Sequence, residues 1–387
     1  MPVPVYIPDQ FTSQYSLLNT FARELGEAFS VAGASVNPSQ RVADRAIFLM
    51  FNSPENLATV RSWIESRVDS LENAAVLHFH VDHPFALHAP HIDELVRWPH
   101  YRLLLPCRDD AHVLRLRWPG LKHMTCEHGV PPRALCNPQT LRAEHMDDAS
   151  VRDLPLLAAG SIHSEAELEQ ALEALPQPLR PVASGAGELL ASNPSLTFTQ
   201  AFDYVLPAGM VSPDHWRMLS AVWRIAIARA NTLRRVRIVA GMQGLPLAVC
   251  GPGAWEPHCT GTIRYLGEVA YSDLPATLAR ARVSLCWGPT QFAHTFSERL
   301  LLSLGAGCAT ISDERLIARA YFAGDNSCAA FANFGDPAAV RETAEEVLND
   351  PEVCAELGRR GREAVEQGHL WAHRVPRFIA AAGDCWV

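Results

Sequence analysis

Lysine is almost missing from this 387-residue chain: of its 33 basic residues, only Lys122 is lysine. Arginine supplies the remainder, so a single arginine carries little information by itself. A surplus of basic charge is missing as well. The 42 acidic residues leave a formal net charge of −9, which argues against a nucleic-acid partner. Long hydrophobic runs do not occur either. The longest, residues 46–51, is far too short to cross a bilayer, so no transmembrane segment is expected. The opening MPVPVYIPDQ lacks the basic stretch and apolar run of a secretory signal. No C-x-x-C pair occurs among the ten cysteines. Buried free thiols in a cytoplasmic protein are therefore expected, and neither disulfides nor zinc ligands.

What is present is apolar material: 48% of the residues are hydrophobic and 19% charged, enough for a large core. At roughly 100–200 residues per domain, two or three domains fit this length. Short apolar runs alternate with helix-period segments, the pattern of an α/β protein with mostly parallel sheets. Strands are predicted over 3–7, 45–51, 74–81, 101–106 and 123–127, with helices over 13–29 and 54–71. A polar, acidic stretch at 137–153 reads as a linker, which sets a boundary near residue 150. Beyond it, strands are predicted over 154–159, 246–250, 262–266, 283–287 and 308–312. Helices are predicted over 165–175, 213–230, 273–280, 297–304, 337–349 and 351–367. The Pro-, Gly- and Ser-rich segment 176–215 has no clear pattern. This order gives two open α/β units, 1–150 and 151–370, with a tail at 371–387.

Chemistry-bearing residues gather at predicted strand ends, where such folds place their ligands. Gly160 and Ser161 follow one strand, Gly251 and Gly253 a second, and Gly267 with Glu268 a third. A glycine there permits a sharp turn beside a ligand, or simply a turn. Thr295 and Glu298 have the T-x-x-E spacing of a capping box, which accounts for Glu298 structurally. Arg234 and Arg235 would either grip a diphosphate through paired charge-assisted hydrogen bonds or serve as solvated surface charges. In HFHVDHPF (78–85), alternation along a strand would set His78, His80 and Asp82 on one face. Zinc needs three or four converging ligands, so even with His88 and His91 nearby this cluster is not read as a metal site. Asp82 and His83 stand where the strand ends, and Glu127 with His128 form a second strand-end pair. As a base toward an acceptor hydroxyl, Asp82 ranks first, then His128, then His83.

The second half carries an ordered series of motifs: VCGPGAW (249–255), IRYLGEVAYSDLPATLARARVSLCW (263–287) and TFSERLLLSLGAGCATISDE (295–314). The run 323–352 and LGRRGREAVEQGHLWAHR (357–374) follow. Over roughly residues 150 to 380 this resembles the nucleotide-sugar-binding domain of GT-B glycosyltransferases, in particular the branch of spore-maturation CgeB-like proteins. The first half is similar to the companion domain through HFHVDHPF and EHGVPP (127–132). The resemblance implies two Rossmann-like domains facing across a cleft, with the tail packing back on the first. It implies transfer of a sugar from a UDP-, GDP-, CDP- or TDP-sugar to a glycan, lipid or protein acceptor, with no bound metal or cofactor.

Carried over by motif, donor binding falls to Gly160, Ser161, Arg234, Gly251, Gly253, Gly267, Glu268, His294, Thr295, Phe296, Ser297 and Glu298. By their strand-end positions, catalysis falls to Asp82, His83 and His128, and the acceptor side to Asp9 and Gln10, which follow the first strand. The chain departs from the family pattern at two places. Leu302 stands where a glutamate normally binds ribose hydroxyls, and His294 replaces the acidic residue eight positions earlier. Those departures leave open a non-catalytic relative that binds nucleotide or partner, and a GT-B-type sugar-nucleotide epimerase. Whether transfer retains or inverts configuration is likewise open.

Overall fold

The computed structural model describes residues 3–8, 17–52, 57–108, 110–136, 152–324 and 327–386. The chain divides into two compact units, one made of residues 1–131 and 370–387, the other of 132–369. Asp9, Gln10 and most of the 137–153 stretch lie outside the described residues.

The first unit is built on a parallel sheet of strands β1 (Pro4–Tyr6), β2 (Ser35–Val36), β3 (Ala46–Phe51), β4 (Ala74–Phe79), β5 (Tyr101–Leu105) and β6 (His123–Thr125), ordered β2-β1-β3-β4-β5-β6. Every residue of β3 and β4 is buried, the consequence of covering both faces of a parallel sheet. Helix Leu17–Val31 buries Phe21, Leu25 and Phe29. The last segment of the chain completes this core. Phe378 of helix Val375–Gly383 packs edge-on against Phe29 and Phe79, and the Trp371 indole donates to Glu24 Oε2 at 3.0 Å.

The second unit carries β7 (Leu154–Ala159), β8 (Leu247–Cys250), β9 (Arg264–Tyr265), β10 (Ala281–Cys286), β11 (Ala309–Asp313) and β12 (Ala330–Ala332), all parallel, ordered β12-β11-β10-β7-β8-β9. The chain runs outward from β7 through β8 and β9, then returns to β10 on the other side of β7. That reversal puts a topological switch point between β7 and β10, where open α/β sheets form their ligand crevice. Its inner layer includes Leu156, Val249, Leu285 and Ile311, together with Trp255 and Trp287.

Several boundaries differ from those read in the sequence. The segment without a clear pattern holds helices Arg180–Ser192 and Phe198–Val205. The helix predicted to end at 230 instead spans Trp216–Gly241. Its buried stripe Leu219, Trp223, Ala226, Ala230 and Ile238 has Arg234 in the intervening position. A stripe at helical spacing thus continues through a charged residue that sequence pattern treats as its end. All ten cysteines are free thiols, only Cys136 and Cys259 being less than fully buried. No helix among the described residues is long and apolar enough to cross a membrane.

Candidate functional site

The switch point of the second unit is assembled from loops that leave the carboxyl ends of β7, β8 and β10. The loops after β7 and β8 run side by side. The Gly160 N–H donates to the Cys250 carbonyl at 2.9 Å, and the Ile162 N–H to that of Pro252 at 3.2 Å. Glycine is required on the β8 side. Gly251 and Gly253 have φ of +124° and +113°, and a Cβ on Gly253 would lie 1.9 Å from the Ile162 carbonyl oxygen. Gly267, also at positive φ, accepts through its carbonyl from the Gly251 N–H at 3.0 Å, while a Cβ built on it would meet nothing within 4 Å. Glu268 is exposed beside it. These residues therefore line one continuous strand-end surface together with Gly160 and Ser161.

Beneath that surface lies a buried cluster of arginines. Arg234 and Arg235 are 1% and 3% exposed, and Arg315 is 1% exposed, which corrects the solvated-surface alternative for the first two. A long helix whose buried stripe passes through these positions leaves them no route to water. Arg234 and Arg315 share a fully buried carboxylate partner, Asp313, at the end of β11. Arg315 reaches Asp313 Oδ2 through Nη2 at 2.7 Å, and Arg234 Nη1 lies 3.7 Å from the same oxygen. Arg234 Nη2 also bonds the Gly288 carbonyl and the Thr290 hydroxyl. Arg235 Nη1 bonds the Ser161 carbonyl, while its Nε is buried with no hydrogen-bond partner among the described residues.

Positive charge therefore exceeds negative charge in a desolvated place. Burial pushes the Arg234 guanidinium down to about 10, with Asp313 opposing. Burial, then repulsion from Arg299 and Arg234, holds Arg235 well below its ordinary value. Both directions mean that an added anion would be favoured. Arg299 was not singled out from the sequence, although it opens the RLLLSLGAG run. Its Nη1 is buried without a hydrogen-bond partner among the described residues. Arg315 and Asp313 were missed too. The available signal was a strand ending in aspartate with arginine two positions on.

Helix Glu298–Gly305 begins at this cluster, and its start differs from the expected capping box. The N-cap is Ser297, in extended conformation, whose hydroxyl accepts from the Arg299 N–H at 3.3 Å. Glu298 is thus the first helical residue and not the third, so it cannot reach back to a cap at Thr295. The Thr295 hydroxyl is buried with no hydrogen-bond partner among the described residues. Glu298 is 6% exposed, with Oε1 3.9 Å from Arg299 Nε. Phe296 is buried against Phe322 and His369. His294 Nε2 lies 3.0 Å from the Ser195 carbonyl. Leu302, on the same helix, is a core residue at 1% exposure.

In the first unit, β4 stops at Phe79, and the following turn is held by Asn52. Its Oδ1 accepts from the Val81 N–H at 3.0 Å, and its Nδ2 donates to Asp82 Oδ2 at 3.2 Å. Asp82 is half-buried there. His83 is buried, with Nδ1 accepting from the Phe85 N–H at 3.3 Å and Nε2 3.8 Å from Asp110 Oδ1. Burial, with His80 adding to it, brings His83 down to about 3. At neutral pH it is an uncharged imidazole. His128 is a core residue, its ring edge-on to Phe21 and Phe79, and its carbonyl accepts from Arg374. His78 and His80 do face each other, ring centroids 5.9 Å apart. Among the described residues no group of three or more His, Cys, Asp or Glu is placed to hold a metal ion.

Comparison with solved structures identifies the fold. Sucrose-phosphate synthase from Thermosynechococcus elongatus superposes with a TM-score of 0.52 at 12% identity, covering 98% of each chain. T4 phage BGT, solved with its UDP-glucose substrate, gives 0.49 at 9% identity over 98% of this chain and 99% of that one. A glycosyltransferase from Rickettsia africae gives 0.47 at 9%, covering 99% and 98%. The chain has the GT-B fold of two Rossmann-like units, as its motif order implied. In sequence, residues 229–380 match the glycosyl transferase-like family. No curated protein matches the chain in sequence.

Proposed function

We propose that the protein is a glycosyltransferase that takes a sugar from a nucleotide-sugar donor, within the branch of CgeB-like proteins. The 132–369 unit holds the nucleotide and the unit containing residues 1–131 holds the acceptor. The observation that carries this reading is the buried arginine cluster at the β7–β10 switch point. Arg234 and Arg315 share the buried Asp313 carboxylate there, and the buried Arg235 lies close to them, beside the amino terminus of helix Glu298–Gly305. A diphosphate would supply the missing negative charge, and the helix start would add backbone N–H donors. As the bond from the anomeric carbon to the phosphate oxygen breaks, the same groups would stabilise the departing nucleoside diphosphate. An acceptor hydroxyl oxygen forms the new bond to that carbon, and its proton passes to Asp82.

Titration with UDP, GDP, CDP and TDP tests the donor side. Binding of one or more is expected, and no binding of any would overturn the reading. Asp82→Asn tests the acceptor side: nucleotide affinity is expected to persist while transfer is lost. Normal turnover by that variant would remove Asp82 from the mechanism.

A second reading, nucleotide binding without turnover, is favoured by two positions. Leu302 is sealed in the core and His294 is engaged by Ser195, so neither supplies the acidic group found there in the resembled enzymes. Tight nucleotide binding with no hydrolysis or transfer from any nucleotide sugar would select it.

A further inference from the structure

Three consecutive carbonyls at the end of β7 are each held by a buried side chain from elsewhere in the second unit. The Trp287 indole N–H donates to the Ala159 carbonyl at 2.9 Å, and that of Trp255 to the Gly160 carbonyl at 3.0 Å. Arg235 Nη1 donates to the Ser161 carbonyl. The two indoles are fully buried and nearly parallel, with ring centroids 5.9 Å apart and planes 14° from each other. Trp287 comes from the end of β10 and Trp255 from the loop after β8, so the pair spans the strands on either side of β7. Gly160 has to be glycine for this approach, because a Cβ there would lie 2.5 Å from Trp287 Nε1.

The amide side of the same turn is tied as well. Gly160 and Ile162 donate to Cys250 and Pro252, and the His163 N–H donates to the Thr232 hydroxyl at 3.0 Å. Between them, the Ser161 N–H and hydroxyl have no hydrogen-bond partner among the described residues. Burying two indoles, whose single N–H needs a partner when desolvated, would be satisfied by any carbonyl. Spending both on adjacent residues of one short turn, with an arginine on the third, fixes that turn with unusual completeness. It leaves one residue, Ser161, with its donors uncommitted.

We propose that Trp255, Trp287 and Arg235 form a carbonyl clamp that presents Ser161 to the phosphates of the nucleotide. They are positioning residues, and Ser161 is the residue that makes the contact. The clamp rests on the donor-binding reading given above and adds to it what rigidifies the receiving loop. Preorganised donors gain affinity because the loop is not ordered at the moment of binding.

The test compares Trp255→Phe, Trp287→Phe and Trp371→Phe with the natural protein. Each removes one bonded indole N–H while keeping an aromatic ring, but Trp371 donates to Glu24 in the other unit. Affinity for UDP, GDP, CDP and TDP is measured beside the urea unfolding midpoint and amide hydrogen exchange at residues 159–163. Trp255→Phe and Trp287→Phe are expected to raise the Kd of the bound nucleotide about tenfold, the size of one displaced buried hydrogen bond. Faster exchange confined to 159–163 is expected with it. Trp371→Phe is expected to lower the unfolding midpoint and leave the Kd unchanged. If the first two variants bind within twofold of the natural protein, the indoles are structural only and the clamp is wrong. Should one of the two not fold, the other decides. If the natural protein binds none of the four nucleotides, the donor-binding reading fails and the clamp falls with it.

Discussion

Arg315 donates twice to one oxygen of Asp313, through Nε at 3.1 Å and Nη2 at 2.7 Å, although only one residue separates them and both are buried. The same guanidinium also bonds the carbonyls of Gly288 and Pro289, each at 2.8 Å. One ion pair therefore fixes the loop that leaves β10. Asp313→Asn would leave Arg234 and Arg315 buried without a counter-charge. A loss of about 3–5 kcal/mol is expected, the usual result of breaking a buried pair from one side. Urea unfolding measures it, and a loss below about 1 kcal/mol would show that water reaches the cluster.

Ser297 and Glu298 are adjacent but are expected to separate in their effects. Ser297→Ala removes the helix cap and should cost about 0.5–2 kcal/mol of stability. Glu298→Ala should alter nucleotide affinity by more than its effect on stability, because its carboxylate neighbours Arg299 at the start of the helix. Parallel nucleotide titration and denaturation of both variants check this. Equal stability losses with unchanged binding would make Glu298 a structural residue.

The strand-end glycines should differ in tolerance. Gly253→Ala sets a methyl group 1.9 Å from a backbone oxygen and is expected to prevent the second unit from folding normally. Gly267→Ala has open space and faces only the backbone cost of positive φ, about 1–2 kcal/mol. Circular dichroism melts of the two variants make the comparison.

Stability should fall in mild acid because of buried histidines. Burial first, and His80 second, hold His78 and His83 at about 3, against an ordinary value near 6.5. The unfolded chain therefore binds protons that the folded one refuses. The folded state's advantage is complete above about pH 6.5 and is lost as pH drops from there toward 3. Each group contributes at most about 1.4 kcal/mol per pH unit in that window. Urea midpoints at pH 7, 6 and 5 should decline steadily, and His83→Gln should flatten the decline. An unchanged slope in that variant would remove His83 as a contributor.

Much of the fold was legible because its strands are short apolar runs buried on both faces. The run 154–159 coincides with β7, and 45–51 differs from β3 by one residue. The strands β2 and β12, of two and three residues, were not expected, although the equally short β9 falls inside the strand predicted over 262–266. Glycine and proline misled the reading of 176–215. Gly187 is not a turn residue there: it sits in helix Arg180–Ser192, where a Cβ would crowd the Arg229 side chain at 3.0 Å. Its smallness serves helix packing. The strand-end glycines could be placed from sequence because turns are local. The arginine cluster could not, since Arg234, Arg299 and Arg315 converge only through tertiary packing, and composition made each look ordinary.

The last residues of the chain have a consequence for the order in which the protein comes into being. Trp371 and Phe378 complete the core around Phe21, Phe29 and Phe79, so the unit that begins first is finished last. A ribosome delivers the contiguous 132–369 unit whole before it releases the segment that the earlier unit still lacks. Phe21, Phe29 and Phe79 go without these aromatic partners for as long as that takes. Chaperone dependence and truncation sensitivity should therefore concentrate in the unit formed by residues 1–131 and 370–387.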